Sequence, residues 1–185
     1  MSIPNFDHNH VIPPNLGNPT VREDVSPYKC TTLEFCKHFA TSAKRMQILQ
    51  KYLLFREKLN EFGIINGFQW LDGSFCENIE ESEKRAPNDL DLVTFYKDLD
   101  NVQINNIING FREFIYPHES KQNYLLDHYI VDYCYSPESI VENTRYWLQL
   151  FSHNRRNIWK GILRIELNTP NEDTLALNYL NSLLS

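Results

Sequence analysis

The stretch Trp70-Leu71-Asp72-Gly73-Ser74-Phe75, followed after a charged segment by Pro87-Asn88-Asp89-Leu90-Asp91-Leu92-Val93, decides how this chain is read. A short apolar run from Phe68 to Asp72 halts at Gly73-Ser74, and a second runs from Asp89 to Tyr96. Both predict buried strands. Every second side chain of a strand lies on the same face, so Asp89 and Asp91 share one. Two carboxylates there are costly to bury without cations. They offer the hard oxygen ligands that suit Mg²⁺ when it also binds substrate phosphates. Gly73 lets the backbone turn tightly and approach a phosphate, and Ser74 adds a hydroxyl beside N–H groups that a following helical turn would leave free.

Upstream, Thr31 and Glu34 have capping-box spacing ahead of a helix through Phe39. A second helix is expected from Ser42 to Phe62, where Ile48, Tyr52, Phe55, Leu59 and Phe62 form a core stripe and Gly63 is the stop. Residues 1–28 hold Pro4, Pro13, Pro14, Pro19 and Pro27, which predicts an extended Pro-rich N-terminal arm wrapping the domain or a partner. Within it, Asp7-His8-Asn9-His10 reads as a polar surface turn. Residues 29–185 are expected to form a single domain.

Downstream, the charged segment Cys76 to Pro87 reads as an exposed loop or short helix that either closes over substrate or has no role. A third helix is expected over Asn101–Phe114, with Val102, Ile107, Ile108, Phe111 and Ile115 on its apolar side. Tyr124 to Tyr135 has strand character, interrupted within its apolar and aromatic run by Asp132, whereas Asp127 at its start reads as a turn residue. Ser136-Pro137-Glu138 starts a helix to Phe151, Gly161 to Leu167 is a further strand, and a last helix from Glu172 to Leu184 docks through Leu175, Tyr179, Leu180 and Leu183. Trp147 and Trp159 read as packing residues.

The 185 residues are 42% hydrophobic and 13% aromatic, enough for one domain with a real core. The net charge of −6 argues against a surface that coats duplex DNA or RNA. Apolar runs of only a few residues and an N-terminus without an apolar leader predict a cytoplasmic protein with no membrane contact. Cys30, Cys36, Cys76 and Cys134 lack the close pairing of a zinc site and are expected as reduced thiols.

Gly73-Ser74 followed by Asp89-x-Asp91 resembles the signature of the nucleotidyltransferase superfamily of the DNA polymerase beta type. Asp89 lies fifteen positions after Ser74, a longer spacer than in the compact minimal members. Phe6 through Pro14, Trp70 through Phe75, Pro87 through Val93, and Tyr146-Trp147, Leu150-Phe151, Arg155 and Lys160-Gly161-Ile162 look like a bacterial family of small nucleotidyltransferase-fold proteins.

The resemblance implies a mixed α/β polymerase beta-like fold, a central mixed sheet flanked by helices. It also implies Mg²⁺-dependent transfer of a nucleoside monophosphate from a nucleoside triphosphate such as ATP, with two ions bound and Mn²⁺ as the substitute. Asp89, Asp91 and Asp132 would be the metal-binding catalytic carboxylates, the third coming from a later strand. Gly73 and Ser74 would hold phosphates, and Arg155 and Lys160 would add positive charge at the nucleotide. The acceptor would be RNA, a protein side chain or a small-molecule hydroxyl. Two other functions compete: a binding or regulatory module without turnover, acting with a partner protein in a toxin–antitoxin or phage-defence pair, and a metal-dependent phosphodiesterase, which would not need Gly73-Ser74.

Overall fold

The computed structural model describes residues 3–183. Thr31 caps the first helix as its spacing predicts: Thr31 Oγ1 accepts from the Glu34 N–H at 3.1 Å, and Glu34 Oε2 accepts from the Thr31 N–H at 2.8 Å. This helix, α1, spans Thr32–Phe39, and α2, capped by Ser42, spans Ala43–Glu61. Ile48, Tyr52, Phe55 and Leu59 are all buried, as the four-three-four spacing requires. Each aliphatic or phenyl side chain in that stripe contributes about 1.5–3 kcal/mol through burial.

Five strands form one mixed sheet: β1 (Tyr28–Lys29), β2 (Gly67–Asp72), β3 (Leu90–Tyr96), β4 (Leu126–Asp132) and β5 (Leu163–Glu166), in the order β1-β5-β2-β3-β4. β2 is antiparallel to both β3 and β5, while β3 runs parallel to β4 and β1 to β5. The remaining helices are α3 (Ile79–Ser82), α4 (Asn101–Gly110), α5 (Pro117–Tyr124), α6 (Pro137–Phe151) and α7 (Pro170–Ser182).

Helices cover the sheet on both sides. Leu71, Leu90, Leu92, Leu126 and Ile165 pack with Phe35, Phe39, Ile48, Phe55, Ala176 and Leu180 of α1, α2 and α7. On the other face Trp70, Val93, Phe95 and Val131 pack with Trp147 and Phe151 of α6. Alternation from Trp70, Val93 and Val131 therefore puts Asp72, Asp91 and Asp127 on the α6 face. The N-terminal segment lies along the domain. Val11 and Ile12 are fully buried, the Gly161 N–H donates to the Ile12 carbonyl at 2.7 Å, and Val11 bridges Glu77.

Several boundaries differ from the expected ones. The helix expected over 101–114 stops at Gly110, and residues 112–114 form a separate 3₁₀ turn. On α4 only Ile107 is buried, with Val102 67% exposed and Ile108 also exposed. α5 had no counterpart in the sequence reading, and the strand expected from Tyr124 begins only at Leu126. α7 starts at Pro170 and docks through Ala176, Leu177, Tyr179 and Leu180, while Leu175 and Leu183 are exposed. Trp147 is buried as expected, but Trp159 is 51% exposed. Within the segment 76–87 the expected short helix forms as α3, but the segment is not wholly exposed, because Glu77 and Ile79 are buried.

No described helix is long and apolar enough to cross a membrane.

Candidate functional site

Register assembles the site. Asp72 of β2 pairs with Asp91 of β3, and Asp91 pairs with Asp127 of β4. Three carboxylates thus stand side by side on adjacent strands, on the face shared with α6. Asp89, two positions before Asp91, adds a fourth on that face. Gly73 follows Asp72 with φ 77° and ψ −169°, a conformation essentially confined to glycine. A Cβ built there would overlap the Asp91 carboxylate, so the turn lies directly against it.

Two buried cations hold the chain that leaves this turn. Lys160, only 2% exposed, donates to the Gly73 carbonyl at 3.2 Å and to Glu77 Oε1 at 2.9 Å, and its ammonium lies 3.0 Å from Asp72 Oδ1. Arg45, from the first turns of α2, donates through Nη1 to the Phe75 carbonyl and through Nη2 to the Glu77 carbonyl, both at 2.6 Å. It also forks onto Glu80 at 2.7 and 2.8 Å. The residues after Gly73 are thereby fixed from α2 on one side and from the approach to β5 on the other.

Charge in the cluster is unevenly compensated. Burial pushes the Asp72 carboxyl up to about 7, against the pull of Lys160, whose ammonium is the ion-pair partner of Asp72 Oδ1. Asp91 is pushed up to about 6, first by burial and then by the charges of Asp89 and Asp127. No ion pair reaches its carboxylate among the described residues. Asp89 and Asp127 share one cation, Lys121 of α5, whose Nζ lies 2.7 Å from Asp89 Oδ2 and 3.3 Å from Asp127 Oδ2. Two ammonium groups therefore pair with four of five carboxylates, those of Asp72, Glu77, Asp89 and Asp127, and Asp91 is the fifth.

This donor set suits a hard divalent cation in kind: carboxylate oxygens on neighbouring strands, with Asp91 short of positive charge. Asp89, Asp91 and Asp127 are the residues that could hold one. Among the described residues, however, no three His, Cys, Asp or Glu side chains converge closely enough to enclose an ion.

The expected site residues divide into two groups. Gly73, Ser74, Asp89 and Asp91 come together. Asp132 does not. It pairs with Tyr96 at the far end of the β3–β4 ladder, five residues and so roughly 17 Å along the strand from Asp127. Being an odd number of positions from Asp127, it also faces the opposite side of the sheet. Its Oδ1 accepts from the Cys134 N–H at 2.9 Å, which makes Asp132 the turn residue and Asp127 the cluster residue, the reverse of the expected assignment. Lys160, expected at the nucleotide, has its ammonium committed to Gly73, Glu77 and Asp72 beneath the turn. Arg155 is exposed in the turn after α6 and touches none of the carboxylates among the described residues; its neighbour Asn154 reaches Glu77 Oε2 at 3.2 Å.

Sequence reasoning passed over Asp72, Asp127, Lys121 and Arg45. A signal for Asp127 existed. A connection of almost thirty residues containing a helix separates the two strands, which implies a parallel crossover. Parallel pairing places the start of one strand beside the start of the next.

Fold and site define a mixed α/β domain with an aspartate cluster across three adjacent strands and a glycine turn packed on its middle member. The chain belongs to a family of unknown function (DUF6932), which it matches over residues 4–166. No curated protein and no solved structure matches it.

Proposed function

We propose that this chain is a metal-dependent nucleotidyltransferase with a polymerase beta-like fold, moving a nucleoside monophosphate from a nucleoside triphosphate to a hydroxyl of RNA, protein or a small molecule. The observation that carries this reading is the register Asp72–Asp91–Asp127, with Asp89 on the same face and Gly73 packed on Asp91. The order of the motifs supports the fold, because the Gly-Ser turn ends one central strand and the Asp-x-Asp pair opens its antiparallel neighbour.

Asp89, Asp91 and Asp127 would hold Mg²⁺, with Asp127 in the role expected of Asp132. When bound, the ion supplies Lewis-acid stabilisation of the phosphates and acidifies the attacking hydroxyl. The chain's own part is positional. Gly73 leaves space beside Asp91, Ser74 offers its hydroxyl at the same turn, and Lys160 and Arg45 keep that turn from drifting when an anion arrives.

A second reading, a binding or regulatory module without turnover, is favoured by one observation: Lys121 and Lys160 already pair with four of the five carboxylates. Calorimetric titration of each nucleoside triphosphate with and without Mg²⁺, followed by an assay for pyrophosphate release with RNA or cell lysate as acceptor, separates the possibilities. Mg²⁺-dependent binding with pyrophosphate release is the expected result. Binding without release supports the module, and diester cleavage without triphosphate binding supports a phosphodiesterase.

A further inference from the structure

The two lysines at the cluster differ in one physical respect. Lys160 is buried and tied to three groups, so removing its ammonium would leave Asp72 and Glu77 uncompensated in the core. Lys121 sits in the last turn of α5 with its side chain 54% exposed, and its two partners are carboxylates that face the site. A long side chain of this kind can carry its ammonium into water without disturbing any packed group.

We propose that Lys121 is an intramolecular competitor for the divalent cation: its ammonium bridges Asp89 and Asp127 in the ion-free state and must leave before an ion can bind these carboxylates. The inference rests on reading Asp89, Asp91 and Asp127 as the cation site. It accounts for two facts together, the presence of four aspartates on one face and the failure of any three to converge on a point. With Lys121 Nζ 2.7 Å from Asp89 Oδ2 and 3.3 Å from Asp127 Oδ2, both carboxylates are turned to the ammonium, and Asp91 has no ion pair among the described residues. The bridge thus keeps the ion-free protein folded around repelling charges and raises the ion concentration needed to load the site.

The test is Mn²⁺ binding by calorimetry to the full chain without nucleotide, comparing wild type, Lys121→Met, Lys121→Arg and Asp91→Asn. Lys121→Met should bind Mn²⁺ at least tenfold more tightly than wild type and melt at a lower temperature without the ion. Lys121→Arg, which keeps a cation at the bridge, should stay within about threefold of wild type, and Asp91→Asn should abolish binding. Equal affinity for wild type and Lys121→Met, with binding still lost in Asp91→Asn, would overturn the role of Lys121 and leave the cation site standing. Absence of Mn²⁺ binding by both wild type and Lys121→Met at millimolar ion would overturn the cation site and this inference with it. Should Lys121→Met not fold, acylation of Lys121 by an N-hydroxysuccinimide ester in the wild-type protein, followed by peptide mass spectrometry, reads the same event. Saturating Mn²⁺ should speed modification of Lys121 several-fold, and an unchanged rate would refute displacement.

Discussion

Replacing Gly73 by alanine perturbs the backbone and the Asp91 carboxylate at once, and the two effects can be separated. The backbone at φ 77°, ψ −169° is one that side-chain-bearing residues adopt at a cost of about 1–3 kcal/mol. The new methyl would also overlap the Asp91 carboxylate, and forcing a packed group aside adds about 1–3 kcal/mol. Gly17 supplies the control: its φ is 126°, and a Cβ there meets nothing within 4 Å, so Gly17→Ala should cost the backbone contribution alone. Urea unfolding followed by tryptophan fluorescence would measure both, and Gly73→Ala should be the more destabilising. The decisive comparison is a double-mutant cycle with Asp91→Ala. Removing the carboxylate should recover about 1–3 kcal/mol of the Gly73→Ala cost, the coupling expected of groups in contact. If Gly73→Ala costs the same in both backgrounds to within about 0.5 kcal/mol, the packing of the turn on Asp91 is refuted.

Three other perturbations have definite expected outcomes. Lys160→Met should destabilise the protein by about 3–5 kcal/mol in chemical denaturation, because it leaves Asp72 and Glu77 buried without a cation; adding Asp72→Asn should restore part of the loss, and no restoration would argue against the pairing. His128, buried on β4 and hydrogen-bonded through Nε2 to Thr94 Oγ1 at 2.8 Å, is held down at about 3 by burial. The unfolded chain takes up a proton on this residue near 6.5 and the folded one only near 3, so stability falls as pH drops through that window by about 1.4 kcal/mol per unit. Substituting His128→Gln should flatten this one-proton slope in pH-dependent urea titrations, and an unaltered slope would place the acid sensitivity elsewhere. Asp127→Asn should abolish Mg²⁺-dependent triphosphate binding while Asp132→Asn leaves it within about twofold; calorimetry giving the opposite ranking would restore Asp132 to the site.

Whatever depends on neighbours within a few residues was readable from the chain: the Thr31–Glu34 capping box, the buried stripe of α2, and the two strands ending at Asp72 and starting near Asp89. α5 escaped because only Ser120 of its eight residues is buried, so no apolar period marks it, and Pro117 at its first position was the one available sign. α4 misled in the opposite way, as Val102, Ile104 and Ile108 carry apolar side chains to solvent. From the sequence Glu77 reads as part of an exposed segment and Lys160 as a cation for the nucleotide, because burial of a charge is decided by a partner, here 83 residues away. The site was half legible for the same reason. Asp89 and Asp91 share a strand, but the choice of Asp127 over Asp132 is made by the register between strands.

The reach of Lys160 bears on how the protein is made. Its partners Gly73 and Glu77 precede it by 87 and 83 residues, and the Ile12 carbonyl waits still longer for the Gly161 N–H. On the ribosome, the turn and its carboxylates emerge long before the ammonium that lets them be buried. A partly synthesised chain therefore keeps Asp72 and Glu77 in water, and its glycine turn has no anchor from the β5 side. Such distant pairings pay loop-closure entropy before they return any stability, which makes closure of this cluster a late event of folding. The glycine turn beside the aspartates is anchored from the β5 side only after the chain has been extended past residue 160.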